Sequence, residues 1–562
     1  MPSAVTNSTN GTHPGGKPEE RRVINLGAIP KEWILDPALL HELQTPWETS
    51  KNNMLALDLP QKSGILTSRE LEITGSYTVQ SLLKELASGA ITSVEVVTAF
   101  CKRAAIAHQV TNCLTEIFFD KALERARYVD SERNRGNILG PLHGLPISVK
   151  ECFHVDSIPT TLGLRAFNGH VATTNSAVVK LLFDQGAVLF CKTNIPQTMM
   201  SSDSENYLFG RALNPNNTML TAGGSSGGEG ALVAFRGSPI GVGTDIAGSI
   251  RIPSFCCGTY GLRPTVNRVP YGGQQSVSTP GMATISACAG PLANSIDALE
   301  IFMKAVINAR PAGYDTRAFD LPWRDVSFRA KTTLRIGVVA EDPVFPVHPP
   351  VKKALNDAIK MLQSQGHEIV WLASEDCHVA HATMVAWSLM GLDDRADKLV
   401  KAGGEDVIYS RVRITEEKDK IDWSYLSAIE EQPTLQRWAA LNVKQMEIAS
   451  DWEKQWQRHR LDAAICFPCQ TTAVEHDESG MPPYTQFLNL LDYPACIIPF
   501  GKVDSSTADE PFEVKPGQSA PAYNYNNLEG APCAIQVFTQ KMRDEECLQA
   551  ARVIDWCLHQ SP

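Results

Sequence analysis

The chain has 562 residues and a mass of 61.4 kDa, about three to four times a typical domain but within reach of one large α/β sheet. Its 43% hydrophobic and 20% charged residues exclude wholesale disorder. With 51 Lys and Arg against 62 Asp and Glu, the formal charge of −11 argues against a general binder of nucleic acid or anionic membranes. There is no uninterrupted apolar run of about 18 residues, so no membrane-spanning helix is expected. Met1 to Thr9 lack a basic start followed by an apolar run, so no secretory signal is expected. The 14 scattered cysteines point to reduced thiols in a cytoplasmic protein rather than a disulfide framework.

Residues 1–20 are rich in Ser, Thr, Asn, Gly and Pro and read as mobile, and 21–75 as an irregular arm with short helical pieces. The organisation expected is an N-terminal extension over 1–60, partly mobile, and one domain over 61–560. Val79, Leu82, Leu83 and Leu86 recur at helical spacing, and Gly89 stops that helix. Thr92 and Glu95 form a capping box for a second helix with Val96, Val97 and Phe100 behind it. Leu145–Lys150 reads as a strand, Ala177–Phe183 as a helix closed by Gly186, and Ala187–Cys191 as a buried strand. Further on come the strand Leu334–Val339, a helix from Pro350 to Leu362 stopped by Gly366, and the strand Glu368–Trp371. Thr434–Arg460 reads as one long helix feeding the strand Leu461–Cys466. Two late strands, Ala495–Ile498 and Ala534–Phe538, precede a terminal helix near Cys547–His559. Residues 502–527 read as a long surface excursion. Strands alternating with helices predict an α/β fold with a largely buried sheet.

The densest chemical signal lies in Thr221–Gly230 and Gly241–Pro253, where many glycines surround three serines. Glycine adds nothing to a core, but it permits positive φ and lets backbone N–H groups approach a ligand. A flexible linker is disfavoured by the apolar segments on both sides. A phosphate loop lacks its Gly-x-x-x-x-Gly-Lys-Ser/Thr spacing. Gly223–Gly227 fits the Gly-x-Ser-x-Gly nucleophile elbow, and so does the frame centred on Ser226, but so Gly/Ser-rich a stretch matches it easily. An elbow also needs a downstream acid and a histidine, for which His476, His378 or His381 are available.

Lys150, Ser225 and Ser249 together resemble the Ser-Ser-Lys triad of the amidase signature family. Gly223–Gly230 and Gly243–Arg251 look like the two halves of its signature, with the two serines 24 positions apart. Gly144–Lys150 matches the family's lysine segment and Lys192–Gln197 its middle motif. The resemblance covers roughly 60–555, with the signature core at about 140–265, and is nearest to the fungal acetamidases and general amidases. It implies a large mixed β-sheet flanked by helices on both faces, and an amidase needing no cofactor and no metal. It implies Ser249 as the acylated nucleophile and Ser225, after a cis peptide bond, as the proton relay to Lys150. The main-chain N–H groups of Ile246, Ala247, Gly248 and Ser249 would form the oxyanion hole, and the backbone near Met199 would line the acyl pocket. Ser226 would orient Lys150 or the loop. Ala247 stands where the family has Gly, which puts a methyl group against the site or shifts the loop.

These residue types suit amide cleavage, which needs an activated nucleophile, a proton donor to nitrogen and an oxyanion site. A lysine acting as base must be neutral, with a pKa of about 7–8 rather than about 10.4, and burial at the end of an apolar strand supplies that shift. Taken alone, Lys150 reads rather as a lysine snorkelling to the surface at a strand end, and only its register with the two serines reverses that. Asp245 and Arg251 flank the nucleophile and either hold its loop or form a surface ion pair. Cys466 and Cys469 read as structural thiols, and Cys377, His378 and His381 as too few ligands for a metal. The expected partner is a small-molecule amide, with no nucleic acid and no membrane span, and with room for a homodimer. Two other readings stay open: a glutamine-dependent amidotransferase subunit, and an inactive binding protein that keeps the fold.

Overall fold

A computed structural model describes residues 26–282, 284–326 and 333–560; the expected mobile segment at 1–20 lies outside them. The strands are β1 (Leu114–Ile117), β2 (Pro146–Lys150), β3 (Val188–Thr193), β4 (Ile240–Asp245), β5 (Tyr260–Arg263), β6 (Cys288–Ala293), β7 (Arg335–Val339), β8 (Glu368–Leu372), β9 (Ala463–Cys466), β10 (Ala495–Lys502) and β11 (Pro532–Phe538). They form one mixed sheet in the order β1-β3-β2-β4-β6-β5-β10-β11-β9-β7-β8. β2 runs parallel to β3 and β4, and β7 to β8 and β9; the other pairs are antiparallel.

Both faces of the sheet carry a core. Leu189 joins one apolar cluster, while Val188 and Phe190 on either side of it join the other. That alternation is the period of two that a strand imposes when both of its faces are covered. It matches the expected α/β architecture. The helix Val79–Ser88 ends at Gly89 with φ +80°, and the Thr92–Glu95 capping box opens the helix Ser93–Thr111. The long helix Thr434–His459 packs against the sheet through Trp452, whose ring lies 5.6 Å from that of Phe538. The excursion at 502–527 is pinned near its end, where the buried Ser519 hydroxyl donates to Glu417 and Gln518 donates to the Pro343 carbonyl at 2.8 Å. Among the described residues no helix is long and apolar enough to cross a membrane.

Four strands carried no expectation: β1, β4, β5 and β6. The sequence of β4 is Ile-Gly-Val-Gly-Thr-Asp, and glycine weakens a strand signal. Both glycines answer to close neighbours. A Cβ on Gly241 would lie 2.1 Å from Glu229 Oε2, and one on Gly243 would lie 2.9 Å from Ser226 Oγ. The sheet at this point leaves room for the side chains of the Gly/Ser block.

Candidate active site

β2 and β4 are parallel neighbours, with Ser148 opposite Gly241 and Val149 opposite Val242. Their carboxyl ends therefore reach the same edge of the sheet, the usual place for a site in such folds. Lys150 closes β2, and Thr244 and Asp245 close β4. Lys150 is fully buried, so it does not snorkel. Its Nζ lies 2.7 Å from Ser225 Oγ and 2.8 Å from Thr244 Oγ1. Burial pushes its pKa down to about 8, against the opposing pull of Cys152, Asp245 and Glu229.

Ser225 follows a cis Gly224–Ser225 peptide. Its block is set directly on the second one. A Cβ on Gly223 would lie 2.7 Å from Pro253 Cα, and one on Gly224 would lie 2.3 Å from the Ser201 carbonyl oxygen. Only glycine permits that approach. Ser249 lies in the turn between β4 and the helix Arg251–Cys257, 7% exposed. Lys150 thus comes from a strand end, Ser225 from a Gly-rich turn and Ser249 from the loop after β4, and the first two are bonded to each other.

Asp245 organises the second loop. Its carboxylate accepts from the N–H groups of Gly248 at 2.8 Å and Ile250 at 3.2 Å, from Asn489 at 2.8 Å, and from two Arg251 nitrogens at 3.0 Å. Both Asp245 and Arg251 are fully buried, so the alternative of a surface ion pair is corrected. Burial alone would raise the Asp245 pKa; the Arg251 guanidinium and the hydrogen bonds outweigh it and hold the carboxyl below the ordinary carboxylate range. Arg251 also donates to the Thr485 carbonyl, Gln536 and Asn489.

The structure adds detail at three of the expected site positions. The Gly248 amide is committed to Asp245, so it is not a free oxyanion donor; the amides of Ile246, Ala247 and Ser249 make no hydrogen bond among the described residues. Ser226 meets Thr244 rather than Lys150: its Oγ lies 3.4 Å from both the N–H and the carbonyl oxygen of Thr244. Ser226 thus meets the backbone of Thr244, whose hydroxyl in turn accepts from Lys150. Met199 has φ +60° and its N–H donates to Pro196, while the neighbouring Met200 lines a cavity of about 240 Å³ that Ile246 also borders. Ala247 is half-buried, and its carbonyl accepts from Thr485 Oγ1 at 2.7 Å.

Among the described residues none of the three candidate histidines is hydrogen-bonded to Ser225, Ser226 or Ser249. His476 has one ring nitrogen 3.3 Å from Asp203 and the other 3.0 Å from the Thr218 carbonyl, leaving none for a serine. His378 faces Asp451 and His381 stacks on Tyr425. The sequence reading missed Thr244, although it stands inside the quoted Gly-Thr-Asp block. It also missed Glu229, which accepts from Ser148 at 2.6 Å and Thr193 at 3.0 Å beneath the site. Burial pushes the Glu229 pKa up to about 8 against those two bonds. Thr485 and Asn489, one helical turn apart on Pro483–Leu491, gave no sequence signal at all.

The site thus holds a buried lysine bonded to one serine, with a second serine on a loop in which the amides of Ile246, Ala247 and Ser249 make no hydrogen bond among the described residues. The Amidase family matches residues 95–548. An "Amidase" of Gibberella moniliformis is 38% identical over 540 residues, covering 95% of this chain and 97% of that protein. An "Acetamidase" of Aspergillus oryzae is 34% identical over 552 residues, covering 94% of this chain and 95% of that protein. Among solved structures, "Fatty acid amide hydrolase" has a TM-score of 0.83 at 29% identity, covering 97% of this chain and 95% of that one. The chain belongs to the Amidase family and is an amide C–N hydrolase.

Proposed function

We propose that the chain hydrolyses small aliphatic or aromatic carboxamides to a carboxylic acid and ammonia or an amine, through an acyl-enzyme on Ser249. The observation that carries this reading is the fully buried Lys150 amine 2.7 Å from Ser225 Oγ. In its neutral form that amine accepts the Ser225 proton, and Ser225 takes the proton of Ser249. The Ser249 oxygen then attacks the amide carbon. The negative charge that develops on the carbonyl oxygen meets the N–H groups of Ile246, Ala247 and Ser249. The proton returns along the same hydroxyl to the amide nitrogen, the C–N bond breaks, and the amine leaves. Water attacks the ester by the same relay and frees the acid. No cofactor enters any step. A cytoplasmic enzyme fits the 14 cysteines, all of them free thiols. A single domain over 61–560 fits the continuity of the sheet, whose strands run from Leu114 to Phe538.

The test is intact mass followed by peptide mapping after rapid quenching with an ester or activated amide. The acyl group is expected on Ser249; an adduct elsewhere, or turnover with none, would refute the pathway. A second expectation concerns pH. Only neutral Lys150 can take the proton, so kcat/KM for acetamide should rise with pH and level off above about 8. An unperturbed lysine would put that limb near about 10.4. A pH–rate profile distinguishes the two.

A further inference from the structure

The cavity beside the nucleophile loop is lined by three carboxylates, Asp393, Asp394 and Asp397, and by two cationic side chains, Arg411 and Lys418. Ile246 links it to the Ser249 loop, and its volume of about 240 Å³ falls just below the roughly 300–1,000 Å³ usual for drug-sized ligands, so it suits a small substrate. Its far wall comes from the helices Val379–Met390 and Tyr409–Lys418. All three carboxylates are already engaged. Asp393 accepts from the N–H and hydroxyl of Thr279 at 2.7 Å, Asp394 pairs with Lys398 at 2.8 Å, and Asp397 takes Arg411.

Lys418 is different. Its ammonium lies over the rings of Trp387, at 5.8 Å, and Trp423, at 5.1 Å. It has no ion-pair partner among the described residues. Ring faces attract a cation but leave its N–H donors without an oxygen acceptor. On the same wall, Arg411 Nη1 and the Trp387 indole nitrogen are buried with no hydrogen-bond partner. Burial also holds the Lys418 pKa below that of an ordinary lysine, against the opposing pull of Glu430 and Asp419.

We propose that Lys418 selects amides whose end remote from the scissile carbonyl carries a carboxylate, which it binds across the cavity. Such a group would give the Lys418 ammonium an ion-pair partner and would bring an oxygen acceptor to the unpartnered Trp387 and Arg411 nitrogens. This rests on the amidase reading above, and the experiment separates the two. The probes are hexanamide and the monoamide of adipic acid, which share the scissile carbonyl and chain length and differ only in the terminal carboxylate. The expected wild-type ratio of kcat/KM, acid-bearing over neutral, is about 10 to 100, the scale of one charge-assisted hydrogen bond. Lys418→Met should bring that ratio to about 1, Lys418→Glu below 1, and Lys418→Arg should keep most of it. A merely structural defect lowers both rates together and leaves the ratio in place. A wild-type ratio at or below 1, or a ratio untouched in Lys418→Met, would overturn the proposal while hydrolysis of hexanamide leaves the amidase reading standing. Hydrolysis of neither probe, with no fluorophosphonate adduct on Ser249, would overturn both.

Discussion

Alanine at Ser249 is expected to lower kcat by about 10⁴ to 10⁶, alanine or methionine at Lys150 to cost a similar factor, and the double variant to be no worse than either single. The non-additivity is the informative part. Lys150 touches Ser225 at 2.7 Å, burial pushes its pKa down to about 8, and in the proposed relay its one task is to take the proton that starts at Ser249. With Ser249 gone there is no nucleophile for that proton to leave, so losing the lysine as well costs nothing further. Lys150→Met is the cleaner variant, because it keeps the volume of a fully buried side chain and avoids an empty hole among Ser225, Thr244 and β2. Fluorophosphonate labelling of Ser249 and steady-state turnover of acetamide measure the effect, with thermal midpoints to show that the variants fold. A double variant lower than either single by the product of their factors would mean that the two groups act independently, and the relay would be wrong. Labelling at the wild-type rate in Lys150→Met would have the same force.

What could be read from the sequence follows from which signals survive without the third dimension. Helix ends were legible where a cap writes itself into neighbouring residues, as at Thr92 and Glu95 or at Gly89. Buried strands rich in Val, Ile and Leu, such as β3 and β7, were legible for the same local reason. β4 was not, because its glycines exist to clear Glu229 and Ser226, which arrive from a different part of the chain. β6 is similar: a Cβ on Gly290 would lie 2.4 Å from the Leu262 carbonyl oxygen. A strand shaped by its neighbours hides its own propensity.

The candidate site divides the same way. Lys150, Ser225 and Ser249 stand out because the blocks around them are dense with glycine in a fixed register. Their supports do not. Asn489 and Thr485 look like ordinary helix residues until the fold sets them against Asp245 and the Ala247 carbonyl. The Gly248 amide looked like one more donor in a row of four. Only coordinates reveal that Asp245, three residues earlier, already holds it. Cys466 and Cys469, a conspicuous pair in the sequence, are both free thiols; burial pushes the Cys466 pKa up to about 12.

Breaking the Asp245–Arg251 pair is expected to be the most damaging change outside Lys150, Ser225 and Ser249. Removing one partner of a fully buried ion pair leaves an uncompensated charge and typically costs about 3–5 kcal/mol. Asp245→Ala leaves the Arg251 guanidinium with the Thr485 carbonyl, Gln536 and Asn489 but no carboxylate, and frees the amides of Gly248 and Ile250. Arg251→Met leaves the carboxylate alone in the core. Each single variant should lower the thermal midpoint markedly. The double variant should recover part of the loss, because no charge is then left buried without a partner. Activity should not recover with it, since the loop that carries Ser249 has lost the carboxylate that gathers its amides. The sign of the pH effect follows from the depressed Asp245 pKa: the pair's stabilisation is present above the unfolded value of about 3.9 and drains away as pH falls below it. Melts of wild type and Arg251→Met between pH 7 and 3 should therefore converge on the acid side. If the two curves stay parallel down to pH 3, the carboxylate is not the group that holds this loop.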